Sequence, residues 1–405
     1  MMIQDAVSRE GRQQQLAVTI LAVFELLLIV ATWKLWTGQS AFPMVPLLPL
    51  NSQSARLLSD QSIVMQSLAA TLTPLFLTCL MAWTACHLRM AMIGWKTITG
   101  LATLLIASLL VLQNEHRLQA WHWFFMVGLS SSIVLGPCNW RRLLCLQISM
   151  VYVFSALSRF GPQTSDMMTW QIASMLLKLA GLGRASADAS VLSAFAWSFA
   201  FAEFLIGLGL LVRRFRQLAA VAAMLLHATL ILALSPFGLG HHWGVLIWNS
   251  MFLCLLPVLF LSQSQNDAIH DQKRWFRILA SAVVLIPLTG LIGFADNWMS
   301  WQLYSPRPEV YGLFIRSDAI KDLPETVRPF AAAPNPVDDF CSVRLDRWSL
   351  DQTNSPLYPE DRFQMAIIRF VTAQILDRSA VRVIIDEPQV PLWWNRRITI
   401  LNSPE

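Results

Sequence analysis

Long apolar segments separated by short polar turns fill the chain up to about residue 298. A helix needs about 20 consecutive apolar residues to cross the hydrocarbon core of a bilayer. Nine segments approach that length, at residues 16–36, 66–88, 97–113, 120–137, 142–160, 191–213, 217–236, 242–262 and 276–294. The pattern therefore predicts an all-α polytopic membrane bundle of about nine transmembrane helices within residues 1–298.

The pattern changes after residue 298. Helical spacing of apolar residues behind the candidate cap Asp361 predicts one helix, with Phe363, Ile367, Phe370 and Val371 on one face. Alternation of apolar and polar residues predicts four short strands, in the stretches VYGLFIR, CSVRLDRWSL, VRVIIDEP and RITILN. Residues 299–405 are therefore expected to form a small soluble α+β domain.

Composition supports the membrane assignment. Apolar residues make up 55% of the chain and charged residues only 14%, with a mean hydropathy of +0.50. Ordinary soluble domains are about one quarter charged, so a soluble fold of this size could not bury so much apolar surface. The 17 Trp residues suit a chain with many membrane interfaces.

The net positive charge indicates membrane topology and not a nucleic-acid partner. Residues 295–405 carry 12 basic and 15 acidic residues, which leaves 18 basic and 10 acidic residues, a net of +8, in the membrane part. With the N-terminus inside, the inner segments hold twelve Lys and Arg residues and the outer segments hold six. Because basic residues are retained on the cytoplasmic side, this asymmetry predicts a cytoplasmic N-terminus and, with an odd number of spans, an extracytoplasmic C-terminal domain.

Two loops on the predicted outer side are long enough to have structure of their own, and the second of them is residues 161–190. Residues 161–190 contain the stretch MMTWQIASMLLKLAGLG, whose apolar stripe carries the single cation Lys178. Such a stripe is typical of an interfacial or re-entrant helix.

Four polar side chains are predicted near the middle of the bilayer. They are Glu25, Glu203, His227 and Asn249. Glu203 and His227 flank the RRFR turn at similar distances, so they are expected to contact each other or to share a ligand. Ionisable groups in a membrane usually face a bundle interior or a cavity.

Two interpretations of these polar groups stay open. They either line a cavity in which Glu203 and His227 exchange a proton, or they join neighbouring helices by hydrogen bonds. No metal site is predicted, because His241 and His242 are adjacent and lack a third ligand. These two histidines are instead expected to cap the outer end of a helix.

A longer pattern resembles a known family. The run from Tyr152 to Phe160, Trp170, the stretch AEFLIGLGLLVRRFRQ and His227 are similar to the membrane domain shared by vitamin K-dependent gamma-carboxylases and their bacterial relatives, the HTTM (horizontally transferred transmembrane) family. The resemblance covers about residues 140–260. It also extends, more loosely, to DoxX-like membrane proteins. The family layout implies a periplasmic or luminal C-terminal domain.

The resemblance does not carry the carboxylase chemistry. In the carboxylases a Lys that follows the Tyr-containing helix is regarded as the base, whereas this chain has Arg159 at that position. An arginine side chain stays protonated in proteins, so it cannot act as that base. Arg159 could still bind an anion or a lipid headgroup, or extend its charge to the interface.

These features give one leading hypothesis and two alternatives. The leading hypothesis is a bacterial inner-membrane protein of HTTM type, with a polar pocket that binds a lipid or a quinone-like amphiphile through Glu25, Arg159, Glu203, His227 and Asn249. One alternative is a DoxX-like accessory subunit of a membrane redox system, which would act through a partner because the chain has no CxxC motif. The other is a membrane anchor that presents the C-terminal domain. The sequence specifies no cofactor, no reaction and no protein partner.

Overall fold

The computed structural model describes residues 2–48, 54–89, 92–160, 168–185, 188–261, 274–303, 305, 307–388 and 396–402. Its internal contacts divide the chain into two compact units. The first, the bundle unit, comprises Met1–Leu28, Leu77–Leu105 and Ala120–Pro306. The second, the sheet unit, comprises Ile29–Phe76, Ile106–Gln119 and Arg307–Glu405. The predicted boundary between residues 298 and 299 stays a prediction.

Six helices among the described residues are long and apolar enough to cross a membrane. They are α1 (Met2–Ala31), α3 (Ser54–Leu88), α4 (Ile93–Gln113), α8 (Ala189–Leu211), α9 (Arg216–Leu234) and α10 (Trp243–Leu256). Helix α10 continues as a π-helical turn over Pro257–Leu261, where proline lacks the amide hydrogen of a regular helix. All six coincide with predicted spans, and they support a multi-pass membrane protein.

Nine spans are not confirmed, because three predicted segments form helices of a different kind. Helix α5 (Ala120–Val134) has 15 residues and α11 (Arg274–Gly290) has 17, which is short for a bilayer. Helix α6 (Pro137–Arg159) has 23 residues, but polar side chains such as Gln147 and Ser155 interrupt its apolar surface. Because 17 of those 23 residues are buried, α6 is enclosed by other helices over most of its surface.

The predicted amphipathic helix between residues 161 and 190 is present as α7 (Met168–Leu179). Its buried face consists of Thr169, Ile172 and Ala173. Ile172 belongs to an apolar cluster of the bundle unit with Ala233, Leu234 and Leu246. Residues 161–167, 186 and 187 of this predicted loop lie outside the described residues.

The C-terminal region contains a four-stranded antiparallel sheet in the order β2–β1–β3–β4, as the α+β prediction requires. The strands are β1 (Val310–Arg316), β2 (Phe340–Val343), β3 (Val381–Pro388) and β4 (Arg396–Asn402). One face of the sheet is buried, with Leu313, Ile315, Val383 and Ile385. Helix α13 (Asp361–Thr372) buries Phe363, Ile367 and Val371 of the predicted apolar face, and the fourth predicted residue, Phe370, is partly buried.

Two details of the predicted domain are wrong. The strand in CSVRLDRWSL ends at Val343, and Leu345–Thr353 form helix α12. The buried residues of this helix are Leu345, Trp348, Ser349 and Thr353, a helical spacing that the strand prediction missed. The N-cap of α13 is Glu360 and not Asp361.

The sheet unit also includes earlier segments of the chain, among them the short helix α2 (Trp33–Thr37). Phe42 contacts Trp348 with ring centroids 4.6 Å apart, and His116 contacts Phe363 at 5.1 Å. The Glu115 carboxylate accepts a hydrogen bond from Arg362 Nε at 2.7 Å. Phe42, Glu115 and His116, from these earlier segments, therefore pack against the C-terminal residues of the same unit.

Candidate functional site

The five predicted site residues are all buried in the bundle unit, on five different helices. Glu25 lies on α1, Arg159 on α6, Glu203 on α8, His227 on α9 and Asn249 on α10. Their exposed fractions range from 2% to 8%. Buried polar groups in a bundle need hydrogen-bond partners, so their contacts determine what the site can do.

Close packing of α6 on α8 brings the site together. A Cβ atom placed on Gly207 would lie 2.8 Å from Val153 Cγ2 and 2.9 Å from the Val153 backbone nitrogen. It would also lie 3.0 Å from Tyr152 Cβ. Small residues commonly allow such close approach between membrane helices. Gly207 follows Glu203 by one turn, so the same contact sets Tyr152 against α8 near Glu203.

An ion pair joins the end of α6 to the middle of α8. Arg159 Nη2 donates to the Glu203 carboxylate and, at 2.9 Å, to Ser155 Oγ. Arg159 Nε donates to the Ser155 backbone carbonyl at 3.1 Å, and the guanidinium lies 6.0 Å from the centre of the Phe199 ring. Arg159 therefore folds back along its own helix and compensates the buried charge of Glu203.

A chain of hydrogen bonds links α6, α9 and α10. Asn249 Nδ2 donates to the Val245 carbonyl at 2.7 Å, which directs Asn249 Oδ1 to His227 Nδ1 at 2.8 Å. His227 Nδ1 must then carry the proton, because an amide oxygen only accepts. His227 Nε2 is left as an acceptor, and the Tyr152 hydroxyl donates to it at 2.6 Å. Tyr152, His227 and Asn249 thus form a directional chain with a neutral imidazole at its centre.

The imidazole of His227 is held in place by an aromatic ring. Phe252 stacks on it with ring centroids 4.8 Å apart and an interplanar angle of 4°. Phe252 also contacts the Tyr152 ring, at 6.0 Å. These contacts fix the orientation in which both imidazole nitrogens meet their partners. We call the set of Tyr152, Ser155, Arg159, Glu203, His227 and Asn249 the polar cluster.

The predicted direct contact between Glu203 and His227 is wrong. Glu203 binds Arg159, and His227 binds Tyr152 and Asn249. Both sets of contacts meet on α6, which inserts its own polar side chains between the two predicted partners. A shared ligand stays a prediction.

Glu25 lies in a second buried pair. Its Oε1 atom is 2.6 Å from His122 Nδ1, and the side chains are almost fully inaccessible. His122 lies near the start of α5, inside the predicted span 120–137. His122 was not among the predicted site residues, although an ionisable residue within a predicted span is a signal that the sequence contains.

The other side chains that the sequence singled out have simpler roles. His242 is the N-cap residue of α10, and its ring accepts a hydrogen bond from the Gly244 amide at 3.4 Å, as predicted for a helix cap. Within the residues that the structure describes, no group of three His, Cys, Asp or Glu side chains could hold a metal ion.

Comparisons with protein-family models, with curated proteins and with solved structures find no match to this chain. The resemblance to HTTM and DoxX-like proteins therefore stays a prediction that depends on the quoted motifs.

Proposed function

We propose that this chain is an integral membrane protein of HTTM type, located in a bacterial inner membrane, that binds a lipid or a quinone-like amphiphile at its polar cluster. The observation that carries the proposal is the chain from Tyr152 through His227 to Asn249, buried beside the Arg159–Glu203 ion pair. Polar and charged groups are rare in membrane helices and are associated with function there.

The cluster has the donors that such a ligand requires. Quinones and lipid esters have carbonyl oxygens that accept hydrogen bonds. The Arg159 guanidinium and the Tyr152 hydroxyl can each donate, and both lie on α6. A ligand carbonyl that accepts from Tyr152 would release His227 Nε2 to accept a proton or a ligand hydroxyl. Apolar surfaces of the surrounding helices suit the tail of an amphiphile.

The proposal includes an orientation with a cytoplasmic N-terminus and an extracytoplasmic sheet domain. Its support is the twelve-to-six distribution of basic residues over the predicted inner and outer segments. Alkaline phosphatase fused after Glu405 should then be active in a bacterial host. An active fusion after Lys273 combined with an inactive fusion after Glu405 would reverse the orientation.

One observation favours a second candidate, a membrane anchor that presents the sheet domain to a partner. Each nitrogen of the His227 ring already has a protein partner, and Glu203 is compensated by Arg159. A cluster that is satisfied internally can serve only to join helices. The anchor hypothesis predicts that the cluster carries no ligand and tolerates replacement without loss of function.

Lipid extraction and mass spectrometry of the purified chain distinguish the two candidates. A specific ligand should co-purify with the wild type and fall at least about fivefold in His227→Gln, because a hydrogen bond to a ligand contributes about 1 kcal/mol. His87→Gln is the matched control, since His87 is also a buried helix histidine and its ring bonds the Trp83 carbonyl of its own turn. Equal ligand content in the wild type and both variants, or no co-purifying amphiphile, would contradict the proposal.

A further inference from the structure

A groove of about 300 Å³ runs along one side of α7 in the bundle unit, separate from the residues of the polar cluster. Helix α7 contributes most of its lining, and α8 and the turn after α9 contribute one leucine each. The lining residues are Trp170, Gln171, Ser174, Met175, Lys178, Leu192 and Leu239.

Three hydrogen-bond donors lie in a row along this groove. Trp170, Ser174 and Lys178 are spaced four residues apart, so they share one face of α7. The row extends over about 12 Å of helix axis, since each residue advances the helix by about 1.5 Å. The donors are an indole N–H, a hydroxyl and an ammonium group, in that order.

The two outer donors of the row have no polar partner among the described residues. The Trp170 Nε1 atom is buried and has no hydrogen-bond partner among the described residues. Lys178 is exposed and forms no ion pair with any residue that the structure describes. Its charge is the only formal charge in the lining. The groove is therefore electropositive at one end and offers a neutral donor at the other.

Apart from Gln171, the remaining lining of the groove is apolar. Met175 lies beside the donor row, and Leu192 and Leu239 face it from outside α7. Leu239 also packs against the apolar cluster of Ile172, Ala233, Leu234 and Leu246, which fixes the floor. A ligand that fits this groove thus carries an anionic group for Lys178, acceptor oxygens one or two helix turns from that group, and an apolar portion.

We propose that this groove binds an anionic phospholipid. The phosphodiester lies at Lys178, a glycerol ester carbonyl accepts from the Trp170 indole, and the start of an acyl chain covers Met175 and Leu192. The proposal requires only membrane placement, which the six apolar helices support, and not the amphiphile proposed for the polar cluster.

A phospholipid fits better than a peptide or a soluble anion. Six apolar helices place the chain among lipids, so a lipid is the ligand that is always present at high concentration. An amphipathic helix with one cation and a tryptophan is typical of the headgroup region of a bilayer. A soluble anion would use Lys178 alone and leave the apolar floor exposed.

Native mass spectrometry of the full chain in detergent tests the site, with phosphatidylglycerol and phosphatidylcholine as separate titrants. The wild type should bind its first phosphatidylglycerol several-fold more tightly than its first phosphatidylcholine. Lys178→Gln should weaken phosphatidylglycerol about fivefold and leave phosphatidylcholine unchanged, because one cation near a membrane surface contributes about that much to anionic lipid binding. Trp170→Phe should weaken both lipids, since both carry ester carbonyls.

Arg184→Gln is the matched control, because Arg184 is an exposed cation shortly after α7 that does not line the groove. Equal weakening by Lys178→Gln and Arg184→Gln would show a general charge effect and overturn the site, as would equal affinity of the wild type for the two lipids. His227→Gln should leave phosphatidylglycerol binding intact. The two proposals have separate readouts. His227→Gln alone should lose the co-purifying amphiphile, and Lys178→Gln alone should lose phosphatidylglycerol binding.

Discussion

Two buried arginines, one in each unit, are satisfied in opposite ways. Arg159 of the bundle unit donates to the carboxylate of Glu203. Arg117 of the sheet unit is fully buried and donates only to neutral acceptors among the described residues. Its oxygen acceptors are the carbonyls of Leu35, Leu110 and Trp36 and the side chain of Gln113, at 2.6 to 3.2 Å.

The difference indicates which buried charge is free to change its partner. Backbone carbonyls are fixed by the fold, so an arginine that binds them holds separate chain segments in one arrangement. A carboxylate on a side chain can instead rotate, accept a proton or yield its place to a ligand anion. Arg117 is therefore expected to be structural, whereas the Arg159–Glu203 pair can respond to a ligand.

The largest effect is expected for Arg117→Met. This change removes four buried hydrogen bonds from a charged donor, and at about 1.5 kcal/mol each the free energy of unfolding should fall by about 6 kcal/mol. The loss should appear as a large decrease in thermal stability in detergent. Arg117→Lys should recover part of it, because a lysine ammonium can still reach some of the acceptors. A stable Arg117→Met protein would contradict the structural role.

A smaller loss of stability, which a second substitution should reverse, is expected for Arg159→Met. Removing one partner of a buried ion pair costs about 4 kcal/mol, because the other charge stays buried and uncompensated. Replacing Glu203 as well, in Arg159→Met/Glu203→Leu, should restore most of the stability, since no orphan charge remains. The same thermal assay measures both proteins. Failure of the second substitution to restore stability would show that Arg159 acts through its contacts with Ser155 and Phe199.

The two arginines also show which features of the molecule the sequence could predict. Apolar segment length predicted six helices, and the period of apolar residues predicted β1, β3, β4 and α13. Glu25, Glu203, His227 and Asn249 could be identified as buried because polar residues in long apolar segments are conspicuous. Arg117 was not conspicuous, since its short polar turn looked like an exposed outer loop.

Partners were harder to predict than burial. Helix length gives the depth of a side chain but not the direction in which it points around the helix. The expected Glu203–His227 contact depended on depth alone, and α6 supplied different partners for both residues. The same limit applied to Glu25, whose partner His122 is 97 positions away in sequence.

The buried polar segment around Arg117 should also respond to pH. Burial lowers the pKa of His116 to about 4, and its Nε2 atom meets the Pro356 carbonyl at 2.8 Å. An unfolded histidine has a pKa of about 6.5, so between these two values the unfolded state binds more protons and stability falls as the pH falls. The loss from pH 6.5 to 4 should reach about 3 kcal/mol and should be absent above pH 7.

Unfolding measurements between pH 7 and pH 4.5 test this dependence. His116→Gln keeps a donor for the Pro356 carbonyl but cannot titrate, so its stability should decrease less than that of the wild type on acidification. The same pH slope in the wild type and His116→Gln would exclude His116 as the source.

The smallest effect is expected for Tyr152→Phe in the polar cluster. This change removes only the hydroxyl that donates to His227 Nε2, so it should lower the free energy of unfolding by about 1 kcal/mol, the size of a hydrogen bond between membrane helices. Asn249→Leu removes the acceptor at the other side of the imidazole and should cost a similar amount. Because both partners meet on one ring, the two losses should not add in the double variant.

Thermal unfolding of the wild type, the two single variants and the double variant gives the coupling energy directly. Strict additivity would mean that His227 does not join α6 to α10. Coupling between the two substitutions, together with an unchanged ligand content, would favour the anchor hypothesis over the ligand-binding hypothesis.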